Sequence, residues 1–212
     1  MRRIDWKLCL VADVDVAAGR SIISAIEQAI EGGVSLVQLR AKKLKTLEFL
    51  ELSLKARETT RKKSIPLIIN DRVDIALSCN AEGVHLGQDD LPVSYARKIL
   101  GTKKLIGVSV NNEMEAEEAE KRGADYLGVG PIYFTQTKKD IKPPLGVKGL
   151  REIRKRVRIP ILAIGGINAE NAREMIATGA DGVAVVSAIL SKENIVKATR
   201  ELARAIRQTG DD

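Results

Sequence analysis

Short apolar runs alternate with longer amphipathic stretches from one end of the chain to the other. The runs at 7–12, 34–40, 66–69, 83–86, 104–110, 126–129, 161–163 and 182–186 are rich in Val, Ile and Leu. Strands buried on both faces read this way, because each side meets apolar neighbours. Helical patterns follow each run, near 21–31, 46–63, 71–79, 92–100, 113–122, 148–157, 169–178 and 193–208. Four of the strands are entered through similar words: EGGVSLVQLR, NAEGVHLGQ, GADYLGVGP and TGADGVAVV. In each, a Gly or Asn ends the preceding helix, which suits the left-handed conformation that stops a helix. This echo falls on the even-numbered units. Eight strand–helix units with such an echo predict an α/β fold, a (β/α)8 TIM barrel, as one domain over residues 1–212. An open doubly wound sheet is the alternative. It tends to place a glycine-rich turn after its first strand, whereas this chain reads ADVDVAAGR there, which is not GxGxxG.

Composition narrows the setting. A chain of 212 residues can bury one sizeable core. With 44% hydrophobic and 30% charged residues it reads as a soluble globular protein, and no apolar run approaches the ~20 residues of a membrane span. The N-terminal MRRIDWKLCLVADVD lacks the apolar core and cleavage site of a signal peptide. Cys9 and Cys79 show neither metal-ligand spacing nor a disulfide framework. Together these predict a cytoplasmic protein. The net charge of +7 would suit nucleic acid, but 3% aromatic residues leave few base-stacking platforms. Scattered solvated Lys and Arg, or a site for small polyanions, are the other readings of that charge.

In a barrel the chemistry gathers where the strands end. Strand two ends in Gln38, Arg40 and Lys42, strand three in Asn70 and Asp71, and strand four in Gln88, Asp89 and Asp90. Strand five ends in Ser109. Strand six feeds a loop, GPIYFTQTKKD, that carries Thr135, Thr137, Lys138 and Lys139. Gly165-Gly166 follows strand seven and Val186-Ser187 follows strand eight. Loops after strands seven and eight often form a phosphate site, where glycine lets backbone N–H groups approach an anion; a tight turn and an ordinary helix cap are the plainer alternatives. Asp71 and Asp90 suit Mg2+, which takes one or two carboxylates and completes its shell with water and phosphate. They equally suit helix caps. Arg40, closing an apolar strand, and Lys42 and Lys138 would surround a polyanion. His85, the one histidine, lies inside a strand and reads as packed or hydrogen-bonded rather than as an acid or base. No Ser-His-Asp or Cys/His constellation is legible, so electrostatic handling of a phosphorylated ligand is the better-supported chemistry.

Taken in order, VQLRAK, IINDR, GVHLGQDDL, GVSV, GADYLGVGPIYFTQTKKD, AIGGI and GVAVVSAI resemble thiamine-phosphate synthases, over nearly the whole chain. That family joins 4-amino-5-hydroxymethyl-2-methylpyrimidine diphosphate to a thiazole phosphate, with Mg2+, and releases pyrophosphate. The resemblance implies that Gln38, Leu39, Arg40, Ala41, Lys42, Asn70, Ser109 and Lys138 hold the pyrimidine diphosphate, with Arg40, Lys42 and Lys138 acting on the leaving group. It implies that Asp71 and Asp90 bind Mg2+. Thr135, Gln136, Thr137, Gly166, Val186 and Ser187 would hold the thiazole phosphate. The expected partners are therefore small phosphorylated molecules, with no nucleic acid and no membrane. The chain departs from the family pattern at Cys9, Ala12, Ala41 and Phe134, changes that bear on the shape of the pyrimidine pocket and the lid and remove no phosphate or metal contact. The related thiazole tautomerases rely on a histidine at the end of strand six, where this chain has GVGPIY.

Overall fold

Eight parallel strands pair in chain order, and the last pairs with the first. They are β1 (Leu8–Asp13), β2 (Leu36–Arg40), β3 (Leu67–Asn70), β4 (Gly83–Leu86), β5 (Leu105–Val110), β6 (Tyr126–Val129), β7 (Ile161–Ile164) and β8 (Gly182–Val185). The structure, a computed structural model, describes residues 4–17, 19–135 and 143–207. Its helices are α1 (Ile22–Gly32), α2 (Thr46–Lys62), α3 (Val73–Ser78), α4 (Val93–Leu100), α5 (Glu113–Lys121), α6 (Gly146–Arg156), α7 (Ala172–Ala177), α8 (Ser187–Leu190) and α9 (Ile195–Arg207). This is the (β/α)8 barrel that the alternation predicts. Among the described residues no helix is long and apolar enough to cross a membrane.

The period of two along each strand sorts its side chains into two cores. One set fills the barrel: Cys9, Val11, Leu36, Ile68, Leu105, Tyr126, Leu162 and Ala184. The other, which includes Leu10, Val37, Leu39, Ile69 and Leu127, packs against the helices. Each fully buried Leu or Ile contributes about 1.5–3 kcal/mol relative to exposure. Interior side chains near the strand starts are apolar, whereas Asp13, Gln38, Asn70 and His85 further along are buried and polar. The barrel is thus closed by oil at one end and lined with hydrogen-bonding groups at the other.

The fourfold echo has a structural meaning. Gly33, Asn80, Gly123 and Gly179, just ahead of β2, β4, β6 and β8, all have left-handed backbones, with φ of 110°, 51°, 91° and 110°. Two residues beyond each lies Ser35, Glu82, Asp125 or Asp181. Each of these clamps one residue of the preceding strand from both sides. Its N–H donates to the carbonyl of Leu8, Leu67, Ile106 or Ile161, at 2.8–2.9 Å. Its side chain accepts the N–H of that same residue, at 3.0, 2.8, 2.7 and 2.8 Å. In three of the four clamps an arginine from the helix before the pair joins the carboxylate: Arg57 with Glu82, Arg97 with Asp125 and Arg154 with Asp181. The first clamp uses a hydroxyl. It lies in the quarter of the barrel where the chain ends meet, and there α1 packs against α9 so closely that a Cβ on Gly32 would sit 2.4 Å from Thr199 Cβ.

Two stretches differ from the expected pattern. The last unit has an extra short helix, α8, before α9; the side chain of Asn194 accepts the N–H of Lys197 and starts the second segment. Helix α7 begins three residues later than expected, because Asn168 first folds a turn in which its side chain accepts the N–H groups of Glu170 and Asn171.

Candidate active site

At the ends of β1 and β2, Asp13 and Arg40 face the barrel interior and form an ion pair. Asp13 also accepts the N–H of Asp15 at 2.9 Å, which holds the carboxylate in place. Arg40 is therefore pre-oriented by a buried partner that the sequence reading did not single out. Its signal was present: a lone charge closing an apolar strand is the same cue that marked Arg40.

The next strand ends gather the two carboxylates. Asp71 follows β3 in a left-handed conformation, φ 65°, and its N–H donates to the carbonyl of His85 at 2.8 Å. Burial pushes its carboxyl pKa up, and the neighbouring Asp90, close enough to hydrogen-bond it, pushes it further; Lys42 pulls the other way. Lys42 Nζ lies 3.4 Å from Asp71 Oδ2. Asp90 accepts the N–H of Gly87 at 2.7 Å. Neither aspartate caps a helix: the N-cap residues of α3 and α4 are Arg72 and Pro92, and neither makes a side-chain cap bond. The plain capping alternative for Asp71 therefore loses its support, while Asp90 ties its own turn. Two facing carboxylates with one raised pKa are a costly arrangement by themselves, since like charges disfavour ionisation. They fit a hard divalent cation that takes oxygen donors and leaves positions for water and phosphate. Among the described residues no third His, Cys, Asp or Glu joins them.

Deeper in the mouth, His85 from β4 uses both ring nitrogens. Nδ1 lies 3.0 Å from Tyr126 Oη, and Nε2 lies 2.9 Å from Ser109 Oγ. It is hydrogen-bonded, as its position within a strand suggested. The side chain of Gln38 approaches the same Tyr126 hydroxyl, whose pKa burial holds well above the usual phenol range. Room for these rings comes from glycine: a Cβ on Gly107 would sit 2.1 Å from the Tyr126 ring, and one on Gly128 2.9 Å from His85 Cε1. Asn70 lies beside His85 in the β3–β4 register. Tyr126 was also missed, and with reason, because one aromatic at the start of an apolar strand reads as core. Leu39 and Ala41 lie in the helix-facing layer, so what they offer a ligand is main chain.

Across the mouth, the segment after β6 is stitched to the end of β7. Ile132 and Tyr133 donate to the carbonyls of Ile164 and Gly165, at 2.9 and 3.0 Å. Gly166 has φ 67°, and a Cβ there would meet Tyr133 Cβ at 2.7 Å and the Phe134 carbonyl oxygen at 2.8 Å. Asn171 donates to the Gly166 carbonyl at 3.1 Å. Tyr133 donates to Glu174 at 2.7 Å, and burial, with that carboxylate, lifts its pKa to about 12. Val186 and Ser187 stand at the end of β8, where α8 begins. Thr135 is the last described residue of its loop; Gln136, Thr137 and Lys138 lie outside the described residues. Cys9 is sealed inside the barrel with its thiol pKa raised by burial to about 12, which makes it a packing group rather than a nucleophile.

A barrel whose interior turns polar at the strand ends, with carboxylates and cations gathered on that rim, has the form of a (β/α)8-barrel enzyme, a class whose sites lie at the C-terminal face. The profile of the thiamine monophosphate synthase family matches residues 8–189. The chain is 52% identical to a thiamine-phosphate synthase of Clostridium novyi, over 94% of this chain and 98% of that one. It is 50% identical to one from Chloroflexus aurantiacus, over 97% and 95%. The solved thiamine phosphate pyrophosphorylase of Pyrococcus furiosus superposes with a TM-score of 0.89 at 38% identity, covering 98% of both chains. The chain belongs to the thiamine monophosphate synthase family, and it is a transferase.

Proposed function

We propose that this enzyme joins 4-amino-5-hydroxymethyl-2-methylpyrimidine diphosphate to a thiazole phosphate, giving thiamine phosphate and pyrophosphate. The observation that carries the reading is the Asp71–Asp90 carboxylate pair with Lys42 beside it, in a chain of this family. Such a pair is poorly satisfied alone and well satisfied around a cation shared with a diphosphate. Mg2+ bound by Asp71 and Asp90 would supply positive charge where the leaving group gains negative charge.

The protein's own groups then have distinct tasks. Arg40, fixed by Asp13, presents its remaining N–H donors to the diphosphate, and Lys42 adds a point charge. Lys138 is assigned to the same group through its place in the family pattern. Ser109, Asn70, Gln38 and the main chain of Leu39 and Ala41 position the pyrimidine end. The bond from the pyrimidine methylene carbon to the diphosphate oxygen breaks, and its electron pair leaves with pyrophosphate. The electron-rich aminopyrimidine spreads the positive charge left on that carbon. The thiazole nitrogen, held in line through its phosphate by Thr135, Gln136, Thr137, Gly166, Val186 and Ser187, donates a lone pair and forms the new C–N bond. No side chain has to move a proton, which suits a mouth whose one histidine has both ring nitrogens occupied. Alignment and preorganised charge carry the rate.

The test mixes the protein with both substrates and Mg2+ and follows thiamine phosphate and pyrophosphate together. Equimolar appearance of the two supports the reading. Release of pyrophosphate without thiamine phosphate, or no turnover at all, would overturn it.

A further inference from the structure

The chain leaves β6 through a neck that is stitched on two sides. On one side, Ile132 and Tyr133 donate to the carbonyls of Ile164 and Gly165, at the end of β7. On the other, the returning limb closes onto the neck where α6 begins: Leu145 donates to the Pro131 carbonyl at 2.8 Å, and Gly146 to the Ile132 carbonyl at 2.9 Å. These four bonds are all main chain. Beyond them a side chain carries the stitching outward. Tyr133 Cβ lies over Gly166, and the Tyr133 hydroxyl reaches α7, where it donates to Glu174 Oε2 at 2.7 Å. An ionised carboxylate can only accept, so the direction of this bond is fixed.

The same turn of α7 holds the facing wall. Asn171, at the N-cap position of α7, donates from Nδ2 to the Gly166 carbonyl at 3.1 Å and accepts the Asn168 N–H at 2.9 Å. Asn171 and Glu174 are three apart, a spacing that puts both on one face of a helix. One helical turn therefore sets the distance between the glycine turn after β7 and the segment that leads, two residues on, to Thr135. Gly166 and Thr135 belong to the two loops assigned to the thiazole phosphate. A ligand gripped from two loops is aligned only while the loops keep their spacing. We infer that Tyr133 and Glu174 are positioning residues for the thiazole phosphate: their hydrogen bond fixes the spacing of Thr135 and Gly166. This inference rests on the thiazole site proposed above. It also separates binding from folding. Glu174 is exposed and the neck is held by main chain, so loss of the bond leaves the fold in place and loosens this one ligand.

The experiment titrates each substrate alone into the full protein by calorimetry, then follows coupling. Tyr133→Phe keeps the ring over Gly166 and removes the hydroxyl. It should weaken thiazole phosphate binding roughly 3–10-fold, the range of one hydrogen bond, with a melting temperature within about 2 °C of wild type. Glu174→Ala should match it. The double variant should bind no more weakly than either single one, because both changes remove the same bond. Glu174→Gln keeps an acceptor oxygen and should recover most of the loss. Affinity for the pyrimidine diphosphate should stay within about twofold in every variant, since that ligand is assigned to the opposite rim. Four outcomes would each overturn the inference: unchanged thiazole phosphate binding in Tyr133→Phe, additive losses in the double variant, a Glu174→Gln protein as weak as Glu174→Ala, or equal loss of both ligands with a lowered melting temperature. Binding needs no turnover, so a wild type that binds both ligands and fails to couple them would refute the functional reading alone. A wild type that does not bind thiazole phosphate would overturn both.

Discussion

At the scale of single residues, Asp71 carries opposing demands. Its folded pKa is raised by burial and by Asp90, so its contribution to stability is fully present when it is protonated and is lost as pH rises through that raised value. Asparagine removes the charge and tolerates the left-handed backbone at this position. In chelator, Asp71→Asn should therefore melt at a higher temperature than wild type near pH 8. The difference should vanish in acid, below the ordinary range of an aspartate. Mg2+ should raise the melting temperature of wild type more than that of the variant. Coupling by the variant should fall by about 10²-fold or more. Equal melting curves in chelator at pH 8 would mean that the two carboxylates do not oppose each other. The sequence displayed both aspartates but not their proximity, because the facing of side chains after two different strands is set by barrel closure. Asp13 and Tyr126 stayed hidden for a related reason: each gains its meaning from a partner on another strand, Arg40 or His85.

At the scale of elements, two glycines separate ligand approach from packing. Gly166 sits at a positive φ against Tyr133 and Phe134, in the turn after β7. Gly166→Val should push that turn away from the segment after β6 and raise the KM for the thiazole phosphate, with a smaller effect on the pyrimidine diphosphate. Gly32 lies in the α1–α9 contact, far from the mouth. Gly32→Val should cost about 1–3 kcal/mol through overpacking against Thr199 and leave both KM values unchanged. Urea melts and steady-state kinetics on the pair check this; equal loss of both affinities in Gly166→Val would argue for general disruption instead. The strands and most helices were legible because burial on both faces writes short apolar runs and the Gly or Asn stops punctuate them. Helix α8 was not, since four residues carry no helical period. The start of α7 was displaced by an Asn turn that competes locally with the helix.

At the scale of the whole molecule, the barrel divides its labour between its ends. The polar mouth collects Arg40, Lys42, Asp71, Asp90, His85 and Ser109, where charges are held in arrangements useful to a ligand. The opposite end is drawn tight by the four clamps at Ser35, Glu82, Asp125 and Asp181. The echo that revealed the fold is the trace of those clamps, although its side-chain purpose was not readable before the strands were paired. The clamps also turn one molecule into its own control experiment. Four amides, those of Leu8, Leu67, Ile106 and Ile161, occupy equivalent places and differ mainly in what receives their proton: a neutral hydroxyl in the first case, a carboxylate joined to arginine in the other three. Deuterium should therefore replace the Leu8 proton soonest, because a charge-assisted bond must break to release the rest. Solvent would then enter the barrel from a predictable quarter. Four matching exchange rates would instead mean that the ring opens all at once.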